Sequence, residues 1–273
     1  MSAPANYIPY TNIFHHLPIN KGDTIYIASN IIKIISAARK AEGGGFDVNL
    51  FIDSIKNKIG NEGTLIFPAF NFELKQKDKF DISKTEPVTG LLPTEVFKRK
   101  DFKRTQNPFH SFMVWGKYAN AFAAMNNKTS FGEDSPFASI HNKGAKILSI
   151  DLDFQHSNPF AHYAEEKEKV FYRTWKNYSV EYTDASGKTE TREYKMFAKE
   201  RGYVNNVNPL YEILKQQGAV QEIIINNVSY KIIDIDAAFT AAVKDIRENK
   251  ARNICYFDGI RYLKSFFKYN PKN

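Results

Sequence analysis

The stretch GAKILSIDLDFQHSNPFAHYAEEK, residues 144–167, begins as one kind of structure and ends as another. Residues 145–152 are an apolar, β-branched run of strand length. Pro159 then fits a first helical position, with Ser157 or Asn158 as the cap. His162 and Glu165 fall three residues apart, on one face of that helix and one turn from its start. A strand that hands over to a helix through polar residues is the repeating unit of an α/β fold, and ligands of open α/β sheets gather beyond the carboxyl ends of the strands. Two readings of the junction stand side by side. It is a capped helix start, or it is an active site in which an imidazole accepts a proton and a carboxylate orients it.

The same unit recurs upstream. In GDTIYIASNIIKIISAARKAEGGG, residues 22–45, a short strand over 24–28 gives way at Ser29 or Asn30 to a helix running to about Arg39. Residues 47–60 carry Val48, Phe51, Ile52, Ile55 and Ile59 at helical spacing, with Gly60 past the end. GTLIFPAF, residues 63–70, is a buried strand ended by Pro68, and Asn71 follows it. Residues 71–93 read as a surface loop, and 91–100 as a short helix with Pro93 early. A strand (111–116), a helix (118–126) and a loop with a short helix (131–144) lead to the stretch quoted first. Strands and helices thus alternate over about 17–166. The expected fold is α/β, a central mixed sheet flanked by helices as an α/β/α sandwich.

The pattern changes after residue 170. Residues 170–200 alternate polar and apolar side chains around Ala185-Ser186-Gly187-Lys188, an antiparallel hairpin. A helix (209–218), a strand pair turning at Asn226-Asn227 and a helix (236–249) follow. No linker cuts the chain, so 1–273 is expected to be one domain, with 170–250 extending the same sheet system.

Composition narrows the chemistry. The 273 residues hold 42% hydrophobic and 25% charged side chains, ordinary for a soluble globular protein. No apolar run is long enough to span a bilayer, and residues 1–23 do not read as a secretory leader. One cysteine, Cys255, rules out a disulfide framework and a cysteine-rich metal site, which fits a reducing cytoplasm. No metal is expected. The net charge of +8 comes from scattered lysines, with no like-charge block and no nucleic-acid motif, so nucleic acid is not an expected partner. A cationic chain also disfavours a polycationic substrate, unless its pocket is locally acidic.

Other candidates are weaker alone. Ser29-Asn30 ends a strand without the glycines of a dinucleotide or P-loop turn, and an ordinary cap explains it as well as a phosphate site does. Thr89-Gly90 is a tight turn that permits close backbone approach, and Arg104 offers a planar fork to a phosphate or carboxylate; both also fit surface turn chemistry. His15, His16, His110, His141 and His156 lack metal-ligand spacing.

In order and spacing, residues 21–31, 60–70, 89–99, 104–119, 131–140, 144–167 and 171–188 together resemble the aminoglycoside 3-N-acetyltransferase family, over about 17–250. The resemblance implies an α/β enzyme that moves an acetyl group from acetyl-coenzyme A to an amine. It implies that Ser29, Asn30 and Ile31 line the coenzyme A groove, with Thr89, Gly90 and Arg104 also on the donor side. It implies that His162 and Glu165 activate the acceptor amine; backbone N–H groups at a helix start, or Thr105, are the candidates to hold the developing oxyanion. Asn71, Glu133, Asp134 and Glu166 are the candidate acceptor contacts. The chain departs from the family pattern at residues 28–30, at Pro87 and at Asn107. Residues 111–119 and 131–137 resemble relatives from surface-polysaccharide clusters, which with the basic charge favours a nucleotide- or lipid-linked amino sugar as acceptor. Antibiotic aminoglycosides are the alternative, and a fold kept as a non-catalytic scaffold is the reading from another class.

Overall fold

The computed structural model describes residues 6–267; the ends of the expected 1–273 domain and the start of the leader reading lie outside them. Strand β1 (Thr24–Ser29) is followed by helices α1 (Ile32–Ala41) and α2 (Val48–Ile59), then by β2 (Thr64–Phe70) and the short β3 (Lys79–Asp81). Next come α3 (Leu91–Phe97), β4 (Lys103–Arg104), β5 (His110–Gly116), α4 (Ala119–Ala123), α5 (Pro136–Asn142) and β6 (Lys146–Ile150). The junction that decides the fold contains two helices, α6 (Phe154–Ser157) and α7 (Phe160–Lys167). Beyond it lie β7 (Arg173–Thr183), β8 (Thr189–Lys199), β9 (Tyr203–Asn205), α8 (Asn208–Gln216), β10 (Val220–Ile225) and β11 (Val228–Asp234). Then follow α9 (Ile235–Asn249), β12 (Cys255–Phe257) and α10 (Gly259–Phe267).

Seven strands form the main sheet in the order β10-β11-β6-β1-β2-β5-β4. The three at its centre are parallel; β5, β11 and the edge strands run against their neighbours, so the sheet is mixed. Its two faces bury separate apolar clusters. Ile34, Phe51, Ile55, Leu92 and Val96, from α1 to α3, pack on Ile25, Ile27, Leu65 and Phe67. Phe122, Phe137, Phe160, Tyr163 and Phe239, from α4 to α9, pack on Tyr26, Ile66, Phe112 and Ile147. Successive residues of each strand therefore face opposite layers, as a sheet covered on both sides requires.

The hairpin reading holds, with an amendment. β7 and β8 pair along eleven residues each, and β10 and β11 turn at Asn226-Asn227 with both φ positive (52° and 62°), the left-handed geometry asparagine tolerates. Only β10 and β11 extend the main sheet. β7 and β8 build a separate three-stranded sheet with β3, a strand inside the span read as loop. Three residues of pairing in a polar segment leave no periodic signal to read.

Pro68 does not end its strand. β2 continues through it to Phe70, because Pro68 falls where β1 no longer pairs: β1 matches β2 only from Thr24 to Tyr26, but matches β6 from Ile25 to Ser29. A proline fits a strand where no ladder bond is asked of its missing N–H. The parting of β1 from β2 opens a crevice at their carboxyl ends.

At the opposite end of β5, Gly116 pairs with Thr64 at φ +98°, and a Cβ built on it would lie 2.1 Å from the Gly63 carbonyl oxygen. Gly116→Ala combines left-handed backbone strain with a clash against main chain. We expect it to cost more than about 2 kcal/mol, read as a lower urea midpoint at unchanged m-value.

Candidate active site

The crevice between β1 and β2 holds a cleft of about 420 Å³, walled by Ala28 and Ser29 of β1, Pro68 and Phe70 of β2, the Val88-Thr89 turn, and Asn158, Pro159 and His162 from the α6–α7 junction. It lies where the chain crosses from one face of the sheet to the other around β1, the position open α/β sheets use for ligands.

His162 sits in the first turn of α7, with its side chain 28% exposed, while Glu165 one turn on is wholly buried. The imidazole Nδ1 meets Glu165 Oε2 at 2.5 Å. That oxygen also takes Arg173 Nη2 at 2.8 Å, and Tyr172 donates its hydroxyl to Oε1 at 2.8 Å. Burial, the largest influence on Glu165, works to raise its pKa; His162, Arg173 and Tyr172 outweigh it and hold the carboxyl below its ordinary value. An ionised Glu165 keeps the proton on Nδ1, which leaves the lone pair of a neutral ring on Nε2. Asn205 Nδ2, from β9, lies 3.4 Å from both ring nitrogens. Phe131 meets the ring edge-on at 5.8 Å.

A second histidine lines the same cleft. His110 opens β5, is buried among Phe70, Phe72, Phe131 and Phe137, and shares a 2.8 Å hydrogen bond between Nδ1 and Ser130 Oγ. Burial, with His162 and Arg173 nearby, pushes its pKa down to about 3, so it stays neutral. Asn158 also faces the cleft; it is buried, and neither its amide oxygen nor its nitrogen has a partner.

The junction differs locally from its sequence reading. Ser157 belongs to α6 and bonds back to Asp153 O, Asp153 caps α6 through the His156 N–H, and Pro159 itself is the residue before α7. Asn158 is thereby released to the cleft.

Of the residues expected from sequence, Ser29, Thr89 and His162 line the cleft, Glu165 stands behind His162, and Gly90 approaches the Ser29 carbonyl across it. Thr89 donates its hydroxyl to Pro68 O. Asn30 accepts the Ile32 N–H at the start of α1, and Ile31 is buried in the core, so the cleft receives neither side chain.

Three expectations are corrected by placement. Arg104 is buried and fully engaged: it donates to the carbonyls of Ile82, Thr85 and Ala69 and to Ser111 Oγ, between the rings of Phe80 and Phe97. Thr105 accepts the Phe112 N–H through Oγ1 and returns its own N–H to Phe112 O, so it closes the sheet edge and holds no oxyanion. Asn71 is buried, accepting from Arg104 Nη2 at 3.0 Å and donating to Glu86 O. Arg104 and Asn71 brace the loop that leads to Val88 and Thr89 through the carbonyls of Ile82, Thr85 and Glu86. Glu133 and Asp134 are exposed and flank the cleft loop of Phe131. Glu166 is buried with Oε2 unpartnered, and burial together with Asp134 raises its pKa.

Sequence reasoning missed His110, Tyr172, Arg173 and Asn205. They sit on β5, at the start of β7 and on β9, and no spacing rule joins those elements to His162 on α7. Among the described residues no group of three His, Cys, Asp or Glu is placed to hold a metal, and no helix is long and apolar enough to cross a membrane.

The cleft thus places an imidazole, held by a buried carboxylate, at the mouth of an α/β crevice. A sequence model of the aminoglycoside 3-N-acetyltransferase family matches residues 35–247. The chain belongs to that acyltransferase family. It is 25% identical over 172 residues to the SPbeta prophage-derived aminoglycoside N(3')-acetyltransferase-like protein YokD of Bacillus subtilis (strain 168), a match spanning 55% of this chain and 60% of that relative. The fold is similar to that of AAC-IIIb in binary complex with CoASH, with a TM-score of 0.75 at 17% identity, over 93% of this chain and 98% of that one. It is similar also to a mutant of the aminoglycoside acetyltransferase AAC(3)-IVa in complex with apramycin, with a TM-score of 0.70 at 17% identity, over 90% of this chain and 95% of that one.

Because His110 is neutral when folded and titrates at its ordinary 6.5 when unfolded, its contribution to stability is complete above pH 6.5 and is lost as pH falls toward about 3. We expect wild-type stability to drop by roughly 1 kcal/mol per pH unit between pH 6 and pH 4 from this residue. His110→Gln, which keeps a partner for Ser130 and does not titrate, should flatten that slope in urea titrations at each pH.

Proposed function

We propose that this protein transfers an acetyl group from acetyl-coenzyme A to an amino group of an aminoglycoside-type sugar. The His162–Glu165 pair at the cleft wall, backed by Arg173 and Tyr172, is the observation that carries the reading. With Nδ1–H committed to Glu165, Nε2 accepts the proton of the attacking amine as its nitrogen bonds to the thioester carbonyl carbon. The C–S bond then breaks, and the proton passes to the departing thiolate to give free coenzyme A. Glu165 stabilises the imidazolium between the two steps. Ser29 and Thr89 wall the side given to the donor, and the unpartnered amide of Asn158 is the group left to meet the thioester oxygen or an amide of the pantetheine arm. Cys255 takes no part: it is buried, and its thiol is pushed up to about 11, chiefly by desolvation.

The acceptor is the finer question. The net charge of +8 favours an anionic amino sugar, the expectation from sequence. The family and the relatives found are named for aminoglycosides, and none lends support to a polysaccharide role. The local charge agrees with them. Glu133, Asp134 and Glu166 gather around the loop whose Phe131 touches His162, and an unpartnered Glu166 oxygen awaits a donor that an ammonium group supplies. The scaffold reading is disfavoured by an intact base and orienter.

The test is steady-state kinetics with acetyl-coenzyme A against gentamicin-type aminoglycosides and against nucleotide-linked 3- or 4-amino sugars. Turnover of the aminoglycosides is expected; exclusive turnover of the sugar nucleotides would reject the acceptor and keep the chemistry. His162→Ala should lower kcat by about 10²–10⁴, with coenzyme A still raising the melting temperature. Absence of any coenzyme A-induced shift in the wild type would revive the scaffold.

A further inference from the structure

A second cavity, of about 600 Å³, lies at the β4 edge of the main sheet, between the C-terminal end of α3 and the tip of the β7–β8 hairpin. Its lining joins aromatic faces to cations: Phe97, Phe102 and Tyr182 with Arg99, Lys103 and Arg192, while Arg104 closes its floor. The catalytic reading uses none of this.

These cations are unequally compensated. Arg99 is neutralised by Asp53 and Asp101. Among the described residues Lys103 meets the Asn120 amide oxygen and no carboxylate, whereas Arg104 is satisfied by main-chain carbonyls, the Ser111 hydroxyl and the Asn71 amide oxygen. Arg192 lies flat over the Tyr182 ring at 3.9 Å and gives Nε to Glu190, but its Nη1 is buried without a partner. The Tyr182 hydroxyl is likewise buried and unpartnered. Asp184 is the carboxylate at the rim, and its Oδ1 is occupied by Ser186 and the Lys188 N–H of the hairpin turn. Orphaned buried donors beside a lysine with no carboxylate partner are costly and are relieved by an anionic acceptor.

We propose that this cavity binds a phosphate ester carried on an aromatic base, with Lys103 and the Arg192 fork on the phosphate and the aromatic faces against the ring. The ligand's chemistry is that of a nucleotide, either the 3'-phosphorylated ADP end of the acyl donor or a separate nucleotide. The proposal does not depend on the acceptor assigned to the cleft.

The experiment is calorimetric titration of the purified protein with adenosine 3',5'-bisphosphate, ADP and inorganic pyrophosphate, for the wild type and for Lys103→Gln, Arg192→Gln and Ala185→Trp. The two charge variants keep a hydrogen-bonding side chain; the third fills the mouth from the hairpin tip and leaves every charge in place. Sub-millimolar binding of at least one nucleotide by the wild type is expected, weakened tenfold or more in all three variants while their melting temperatures hold. If the phosphate belongs to the donor, the same variants raise KM for acetyl-coenzyme A at unchanged kcat; if it belongs to a separate ligand, KM stays. No heat with any probe at 10 mM, or affinity unaltered in the three variants, overturns the site whatever the cleft is found to do.

Discussion

A wholly buried carboxylate is the constraint from which the site follows. An ionised Glu165 out of water is tolerable only if its charge is met and its oxygens are hydrogen-bonded. The structure supplies an imidazole from its own helix, and a guanidinium and a phenol from the two residues where β7 begins. Removing His162 or Arg173 leaves that charge poorly met, so the geometry around His162 and the local fold are stabilised by the same contacts. The arrangement also fixes which nitrogen of His162 faces the cleft, because the proton on Nδ1 has a partner and the one on Nε2 would not.

The α/β core alone cannot complete this group. The parallel strands and α7 bring His162 to the mouth of the crevice, but Arg173 and Asn205 arrive from β7 and β9, outside the main sheet. β9 is held by β12, and β12 is placed by the turn after α9, where Lys250 and Ala251 both adopt positive φ. Buried Asp245 holds that turn by accepting the Asn253 N–H and the Asn249 and Asn253 amides. The C-terminal half thus serves the site as a brace that reaches across from two smaller sheets, β3-β7-β8 and β9-β12.

What was legible in the sequence follows the range of the interactions. The strand–helix alternation, the long hairpin, the Asn226-Asn227 turn and the His162–Glu165 spacing are local, and each could be read because a period or a turn residue encodes it. β3 was hidden because three residues of pairing leave no period. The break between α6 and α7 was hidden because Ser157 bonds backwards within its helix where it was read as a forward cap. Arg173, Asn205 and His110 were hidden because their meeting with His162 is purely tertiary. Arg104 shows the converse: a motif residue can be present and serve the cleft only through the loop it ties down.

Net charge is a weak guide to the ligand of a cleft, for a physical reason. The +8 is a sum over the chain, whereas a ligand in a cleft feels charges within about one Debye length, roughly 8 Å at physiological salt. Scattered lysines on a solvated surface contribute little at that range. A buried Glu166 is screened far less, and its pKa is raised chiefly by burial, with Asp134 adding to it. An ammonium group placed there would offset both the burial and the repulsion, and would draw the pKa back down. The net charge of a chain and the charge sensed by a ligand at one site can therefore differ in sign, because nearby buried groups outweigh distant solvated lysines.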